Sequence, residues 1–284
     1  MSVNSSSNSE GRTAANCMHR VRLTGETATL LITLYAKALD HRSRRPILND
    51  EKADEVVRMI DYDFEKLNKF GRSNLIVVRA KHFDEWIKEF MKSNPRGVVL
   101  NLGCGLDPRV FRMDLPPGID WFDVDYPEVI EERRYFFSER GGYHMIASSL
   151  TSAEWLEAIP KDRPAMIVAD GVLEYLTPEN VKVLLNRLTG YFPSGQIAFD
   201  VMNSFGVNSA RESLKETTGA VHNWAVDNIH AVDEMDPKLR RLDNLSVFRS
   251  RYIKRLPLGQ RVTYGMMCVI PTFRKMIRLL RYEF

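Results

Sequence analysis

The stretch VVLNLGCGLDPRVFRMD, residues 98–114, constrains the fold more than any other part of the chain. A run of aliphatic residues stops at Gly-Cys-Gly, and an acid, Asp107, follows two positions later. Strands without polar alternation belong to parallel sheets covered by helices on both faces. Ligands of such sheets bind beyond the carboxyl ends of the strands, where strand order reverses. Gly103 and Gly105 fall at that place. Glycine permits positive φ and lets a ligand reach the main chain without meeting a Cβ. Taken alone, Gly-x-Gly reads equally well as a plain tight turn.

Two further features bear on that choice. Pro108 occupies the place of the third glycine in the dinucleotide fingerprint, so the pyrophosphate-binding pattern is broken. The next strand-like run, DWFDVD, ends at Asp125, about twenty residues beyond Gly105, where a carboxylate can accept from both hydroxyls of a ribose. Asp123 shares its strand face and competes for the role. A ribose contact without a pyrophosphate cradle points to a nucleoside cofactor lacking phosphates, a description that S-adenosylmethionine meets.

The rest of the chain supplies the elements around this turn. From Thr24 to about Asn94 the pattern is helical. Thr24 stands as a candidate N-cap and Asn49 or Asp50 as a second, while Val56, Val57 and Ile60 form one buried stripe. Ile76, Ala80, Phe83, Ile87 and Phe90 form another, ahead of Pro95. Beyond it, GVVLNLG, DWFDVD, YHMIASS, PAMIVADG and GQIAFDVM read as five strands alternating with helical segments. LSVFRSRYI and MIRLLRYEF are expected as an antiparallel edge pair. The expected organisation is a tail over 1–23, disordered because its Ser, Asn and Gly bury little apolar surface. One α/β domain follows over 24–284, comprising a helical cover (24–94), a cofactor-binding core (95–202), a substrate-wall insertion (203–245) and C-terminal strands (246–284).

Composition narrows the class of function. A net charge of +3 over 284 residues is too weak for a nucleic-acid binder's basic stripe. Three cysteines, Cys17, Cys104 and Cys268, are too few and scattered for a disulfide framework or a zinc site. No apolar run approaches the roughly 18 residues needed to span a bilayer, and the N-terminus lacks the apolar core of a secretory signal. The expectation is a cytoplasmic protein with no nucleic-acid or membrane partner.

The blocks ETATLLITLYAKALD, LIVVRAKHFDEW, VVLNLGCGLDPRVFRMD, WFDVDYPEVIEERR and IVADGVLEYLTPE, in this order, resemble the leucine carboxyl methyltransferase family, and most its polyketide O-methyltransferase branch. The resemblance runs from about Thr24 through the fifth strand and more faintly to the C-terminus. It implies a Rossmann-like class I methyltransferase with a mostly parallel seven-stranded sheet, helices on both faces and S-adenosyl-L-methionine as cofactor.

Residue by residue, the resemblance places Lys37 and Arg79 on the carboxylate of the cofactor's methionine end, which a forked guanidinium can bind bidentately. Without it, Lys37 reads as part of a solvated helix face. Gly103 and Gly105 fall where family main chain lies against the cofactor, Asp125 at the ribose, and Ser149 and Leu150 at the adenine. Asp170 stands where the family usually carries glutamate near the cofactor's amino group. Glu174, in a place normally apolar, is either a substrate contact or an exposed first-turn carboxylate. Pro108 replaces a common threonine. Tyr35 and Trp224 complete the candidate substrate contacts, and Trp224 reads equally as an anchor for the insertion.

The reaction implied is methyl transfer to an acceptor oxygen. A carboxylate acceptor, with pKa near ~4, arrives ionised, whereas a phenol, near ~10, must lose its proton to a base. His222 and His230 lie in the expected substrate wall, and His222 is the candidate base. Each also reads as a surface histidine. The leading expectation is a small-molecule acceptor, aromatic or polyketide-like. Alternatives are a peptide or protein C-terminal carboxylate, an NAD-dependent oxidoreductase, which the missing third glycine opposes, and a relative that binds cofactor without methylating.

Overall fold

The computed structural model describes residues 19–21, 26–70 and 73–284. Thr24, Cys17 and most of the expected tail therefore lie outside the described residues. His19, inside that stretch, pairs with Ile60 in an isolated parallel bridge and reaches Glu132 at 2.5 Å.

The N-terminal third is helical: a 3-10 turn Glu26–Thr29 leads into α1 (Leu30–His41), followed by α2 (Glu51–Met59) and α3 (Ser73–Ser93). Asp50 caps α2, its Oδ1 accepting from the Ala53 amide at 3.0 Å. The stripe Val56, Val57 and Ile60 is buried with Leu34 and Ala38 of α1, as the helical period requires.

The core alternates β1 (Val98–Leu102), β2 (Asp120–Asp125), α4 (Pro127–Phe136), β3 (Tyr143–Ala147), β4 (Ala165–Ala169), α5 (Pro178–Tyr191) and β5 (Gly195–Met202). After them come α6 (Ser204–Thr218), the short α7 (His230–Asp233), β6 (Arg240–Ser246), α8 (Leu258–Val269), α9 (Pro271–Arg274) and β7 (Ile277–Glu283). The seven strands are ordered β3-β2-β1-β4-β5-β7-β6, parallel through β5, with β7 antiparallel to β5 and to β6. Every residue of β1 and of β4 is buried, because helices cover both faces there. Strand order reverses between β1 and β4, so a crevice opens at the carboxyl ends of these strands.

One expected strand is misplaced. The segment LSVFRSRYI is not extended beyond Ser246. It forms 3-10 turns over Val247–Arg249 and Arg251–Arg255, with Ser250 accepting from the Tyr252 amide at 3.1 Å. The edge strand is instead RRLDNLS, a polar run that falls within the expected insertion and is interrupted by an irregularity between Arg241 and Asp243. An edge strand packed on one side needs little apolar sequence, which hides it from a hydrophobicity pattern. Helix α8 then stands where only strands were expected.

Candidate cofactor and substrate cleft

The turn after β1 is built from two left-handed glycines. Gly103 has φ +59° and Gly105 +50°. A Cβ on Gly103 would stand 2.4 Å from Val172 Cγ2, and one on Gly105 would stand 3.1 Å from Leu30 Cβ. The turn is therefore glycine for conformation and for space together. Above it lies a cleft of about 870 Å3, mouth included, bounded by the loops after β1 to β4, by residues 27–37 and by Arg79 of α3.

Asp125 and Asp123 separate completely. Asp125 lines the cleft and its oxygens accept from the amides of Gly105 at 2.7 Å and Tyr126 at 2.8 Å. Two acceptor positions of the carboxylate remain. Burial pushes its pKa up to about 6, against the lowering effect of those two amides. Asp123 is fully buried elsewhere, bound by Arg133, Tyr143 Oη at 2.8 Å, Trp121 Nε1 at 2.9 Å and Asn101 Nδ2 at 2.8 Å. With those donors taken up, it belongs to the core.

Below the cleft runs a network of buried charge. Asp107 meets Lys37 Nζ at 2.8 Å and Arg112 Nη1 at 2.6 Å. Burial alone would raise its pKa, but Arg112, Lys37 and Arg109 outweigh that and hold it well below the usual carboxylate range. Burial lowers the pKa of Lys37, which Asp107 only partly offsets. Arg109 reaches Asp84 at 3.0 Å and also binds Asp170. Arg112 further ties Asp84 and Asp50, each at 2.7 Å. Arg79 closes the network through Asp170 at 2.5 Å and Asp200 at 2.6 Å. Its Nη2 makes no bond among the described residues and lies 2.5 Å from where a Cβ of Gly171 would stand. Gly171, at φ +75°, thus leaves the room in which the guanidinium edge faces the cleft.

Of the residues singled out from sequence, Lys37, Arg79, Gly103, Gly105, Asp125, Leu150 and Asp170 line this one cleft. Five do not. Ser148 takes the wall position expected of Ser149, whose hydroxyl bonds Thr151 Oγ1 at 2.8 Å instead. Tyr35 turns into the α1–α2 core, its hydroxyl donating to Glu65 at 3.1 Å and its ring against Phe64. Trp224 is buried beside Phe199, which makes it an anchor and not a platform for a planar substrate. Glu174 is buried behind the wall, not exposed at a helix start. Burial and Asp200 push its pKa up to about 8, and Oε2 has no hydrogen-bond partner among the described residues. His222 sits behind Tyr175, ring centroids 5.1 Å apart, and burial pushes its pKa down to about 4. His230 is exposed beside Asp233.

The structure adds residues that sequence reasoning passed over. Asp107, Arg109 and Arg112 lie within the quoted stretch, and their spacing of two and three residues after the glycine turn is the signal that was available. Asp200, a lone acid inside the apolar strand GQIAFDVM, is another. Thr27, Thr29, Thr33, Tyr126, Val129 and Tyr175 line the cleft with no distinctive sequence mark.

A seven-stranded sheet of this order, with an acid closing β2 and a glycine turn closing β1, defines the Rossmann-like class I methyltransferase fold. Solved structures of the same shape include a methyltransferase-like protein of Thermobifida fusca, at TM-score 0.59 and 13% identity over 92% of this chain and 94% of that one. A DUF574-family protein of Streptomyces avermitilis superposes at 0.60 with 10% identity, covering 91% and 97%. The family profile for leucine carboxyl methyltransferases matches residues 30–189. The tetracenomycin polyketide synthesis O-methyltransferase TcmP of Streptomyces glaucescens is 41% identical over 93% of this chain and 98% of its own. An S-adenosyl-L-methionine-dependent methyltransferase of Gibberella zeae, dpfgK, is 32% identical over 80% and 84%. The chain belongs to the leucine carboxyl methyltransferase family.

Proposed function

We infer that this chain is an S-adenosyl-L-methionine-dependent O-methyltransferase acting on a hydroxyl or carboxylate of a small aromatic or polyketide-like molecule. The observation that carries the cofactor is Asp125, a carboxylate with spare acceptor capacity beside a turn that any Cβ would fill. The residues present fit S-adenosylmethionine. Asp125 would accept from its ribose hydroxyls, the main chain at Gly103 and Gly105 would lie against it, and Leu150 and Ser148 would flank the adenine. Arg79 Nη2 and Lys37 would hold its carboxylate, and Asp170 would hold its ammonium. Asp170 is kept ionised for that contact by Arg79, Arg109 and Lys37, which together outweigh its burial.

Bound there, the cofactor supplies a methyl group on a sulfonium, an activated leaving group. The chain's own contribution is then to hold the acceptor oxygen in line and keep water away. Leu30, Val129, Val172 and Leu176 give the cleft apolar walls that suit an aromatic acceptor. The acidic departure at Glu174 lies behind this wall, so it shapes the field around Arg79 and does not touch the acceptor directly.

His222 bears on the choice of acceptor. Its pKa near 4 leaves the imidazole neutral at physiological pH but makes it a weak proton acceptor. With His222 outside the cleft lining and a poor base besides, an acceptor that arrives ionised, a carboxylate, asks less of the chain than a phenol does. The 41% identity to a polyketide-pathway O-methyltransferase supports a small molecule over a peptide terminus. The test is turnover, read by mass spectrometry, with S-adenosylmethionine and matched panels of aromatic carboxylic acids, phenols and leucine-ended peptides. Methyl ester formation on the acids alone is expected. Turnover only of peptides would overturn the small-molecule reading.

A further inference from the structure

Helix α8 is apolar on the side that faces away from the protein. Its inner face packs normally: Tyr264 is buried in the core, with Met267 and Cys268 against it. On the opposite face Leu258, Val262 and Met266 recur every fourth residue and are joined by Val269, which aligns them in one stripe. Leu258 is 70% exposed, Met266 62% and Val269 78%, and Ile270 just beyond the helix is exposed as well. A helix with one apolar stripe buried and a second one in solvent has a face without a partner.

The charges around the stripe say what that is. Between Asn244 and Tyr282 the chain carries nine Lys and Arg and no Asp or Glu. Three of the nine are engaged: Arg251 with Glu85, Arg281 with Glu89 and Asp243, and Arg278 on the Val226 carbonyl. Arg249, Lys254, Arg255, Arg261 and Lys275 are exposed and carry no ion pair among the described residues. Lys254 and Arg255 precede α8, Arg261 borders its stripe, and Lys275 follows it. A second copy is a poor occupant, since antiparallel pairing of α8 with itself would set Lys254 and Arg255 against Lys275. A stripe of protruding Leu, Val and Met within a rim of unpaired cations matches an anionic bilayer surface, where the apolar side chains enter the headgroup boundary and the cations meet phosphates and carboxylates.

We propose that α8 and its basic rim dock this protein onto anionic membranes, with the stripe Leu258, Val262, Met266 and Val269 lying in the interface. This is a surface contact, since no helix among the described residues is long and apolar enough to cross a membrane. It revises the expectation of no membrane partner. Gln260 of α8 accepts from Asn74 Nδ2 at 2.7 Å, which joins α8 to the start of the helix that carries Arg79.

Co-sedimentation with phosphatidylcholine vesicles, with and without roughly 30% phosphatidylserine, tests this on the whole chain. At low salt the anionic vesicles are expected to bind about tenfold more protein than the neutral ones, and ~0.3 M salt should remove most of the difference. The double substitution Val262→Ser with Met266→Gln should abolish vesicle binding, and so should Lys254→Glu with Arg255→Glu. Both pairs are exposed and neither lines the cleft, so S-adenosylhomocysteine binding by calorimetry should not change. Equal binding of the wild type to neutral and anionic vesicles, or to neither, would overturn the proposal whether or not the variants fold. A doubled mass by light scattering that Val262→Ser with Met266→Gln returns to one copy would also overturn it, by showing that a second chain covers the face.

Discussion

The amide of Gly105 donates to Oδ2 of Asp125 at 2.7 Å, so the turn that ends the first strand orients the acid that ends the second. Asp125→Ala removes a charged acceptor and should weaken S-adenosylhomocysteine binding about 10- to 100-fold with the fold retained. Calorimetry beside a thermal melt separates the two effects.

The same acid sets a pH dependence. Burial raises its pKa to about 6, so the carboxylate is progressively protonated below that value. Affinity for S-adenosylhomocysteine should be level above pH 7 and fall roughly tenfold per pH unit well below pH 6. A titration across this range in Asp125→Asn should be flat from the outset.

Glu174 gives the stability of the fold a pH dependence of its own. Its folded pKa, about 8, lies above the value of 4.5 for an ordinary glutamate, so the folded state holds the proton more tightly than the unfolded chain. Stability is therefore fully present below about pH 4.5 for this group and is lost as pH rises through 8, by a few kcal/mol at most. Glu174→Gln should flatten the fall of Tm between about pH 5 and 8.

Gly171→Ala should disturb Arg79. The added methyl meets Nη2 at 2.5 Å, and φ is +75°, so strain and displacement combine. A loss of about 1–3 kcal/mol in urea denaturation is expected, with weaker S-adenosylhomocysteine binding. Gly141→Ala, where the methyl meets nothing within 4 Å, serves as the control.

Asp107→Asn leaves Lys37, Arg109 and Arg112 buried without their shared anion. Breaking a buried pair on one side costs about 3–5 kcal/mol, and denaturation should show a loss of that order. The remaining carboxylates Asp84 and Asp170 should keep Arg109 in place.

The parallel core was legible because β1 and β4 are short apolar runs buried along their whole length and β2 and β5 are buried over most of theirs, with β3 half-covered at the sheet's edge. β6 was not legible, because Arg240–Ser246 alternates half-buried and exposed positions with polar residues on both. LSVFRSRYI has strand-like composition, yet Ser250 bonds both the Tyr252 amide and His82 Nε2 and turns the chain. The site divides along the same line. Gly103 and Asp125 could be read because spacing along the chain fixes their place at strand ends. Ser148 and Ser149 are neighbours, and only the course of the chain after β3 decides which of them meets the cleft.

By itself the sequence determined the strand order's raw material, the glycine turn, the acid twenty residues on and the family. These depend on local period, on backbone freedom and on residue spacing, all properties of the linear chain. Tertiary structure alone decided that Asp123 serves Arg133 while Asp125 faces the cleft, that Trp224 and Tyr35 are core, and that Glu174 is buried near Asp200. Those outcomes turn on which charges and rings arrive from distant elements, and a carboxylate's role follows from the partners that solvate it in place of water.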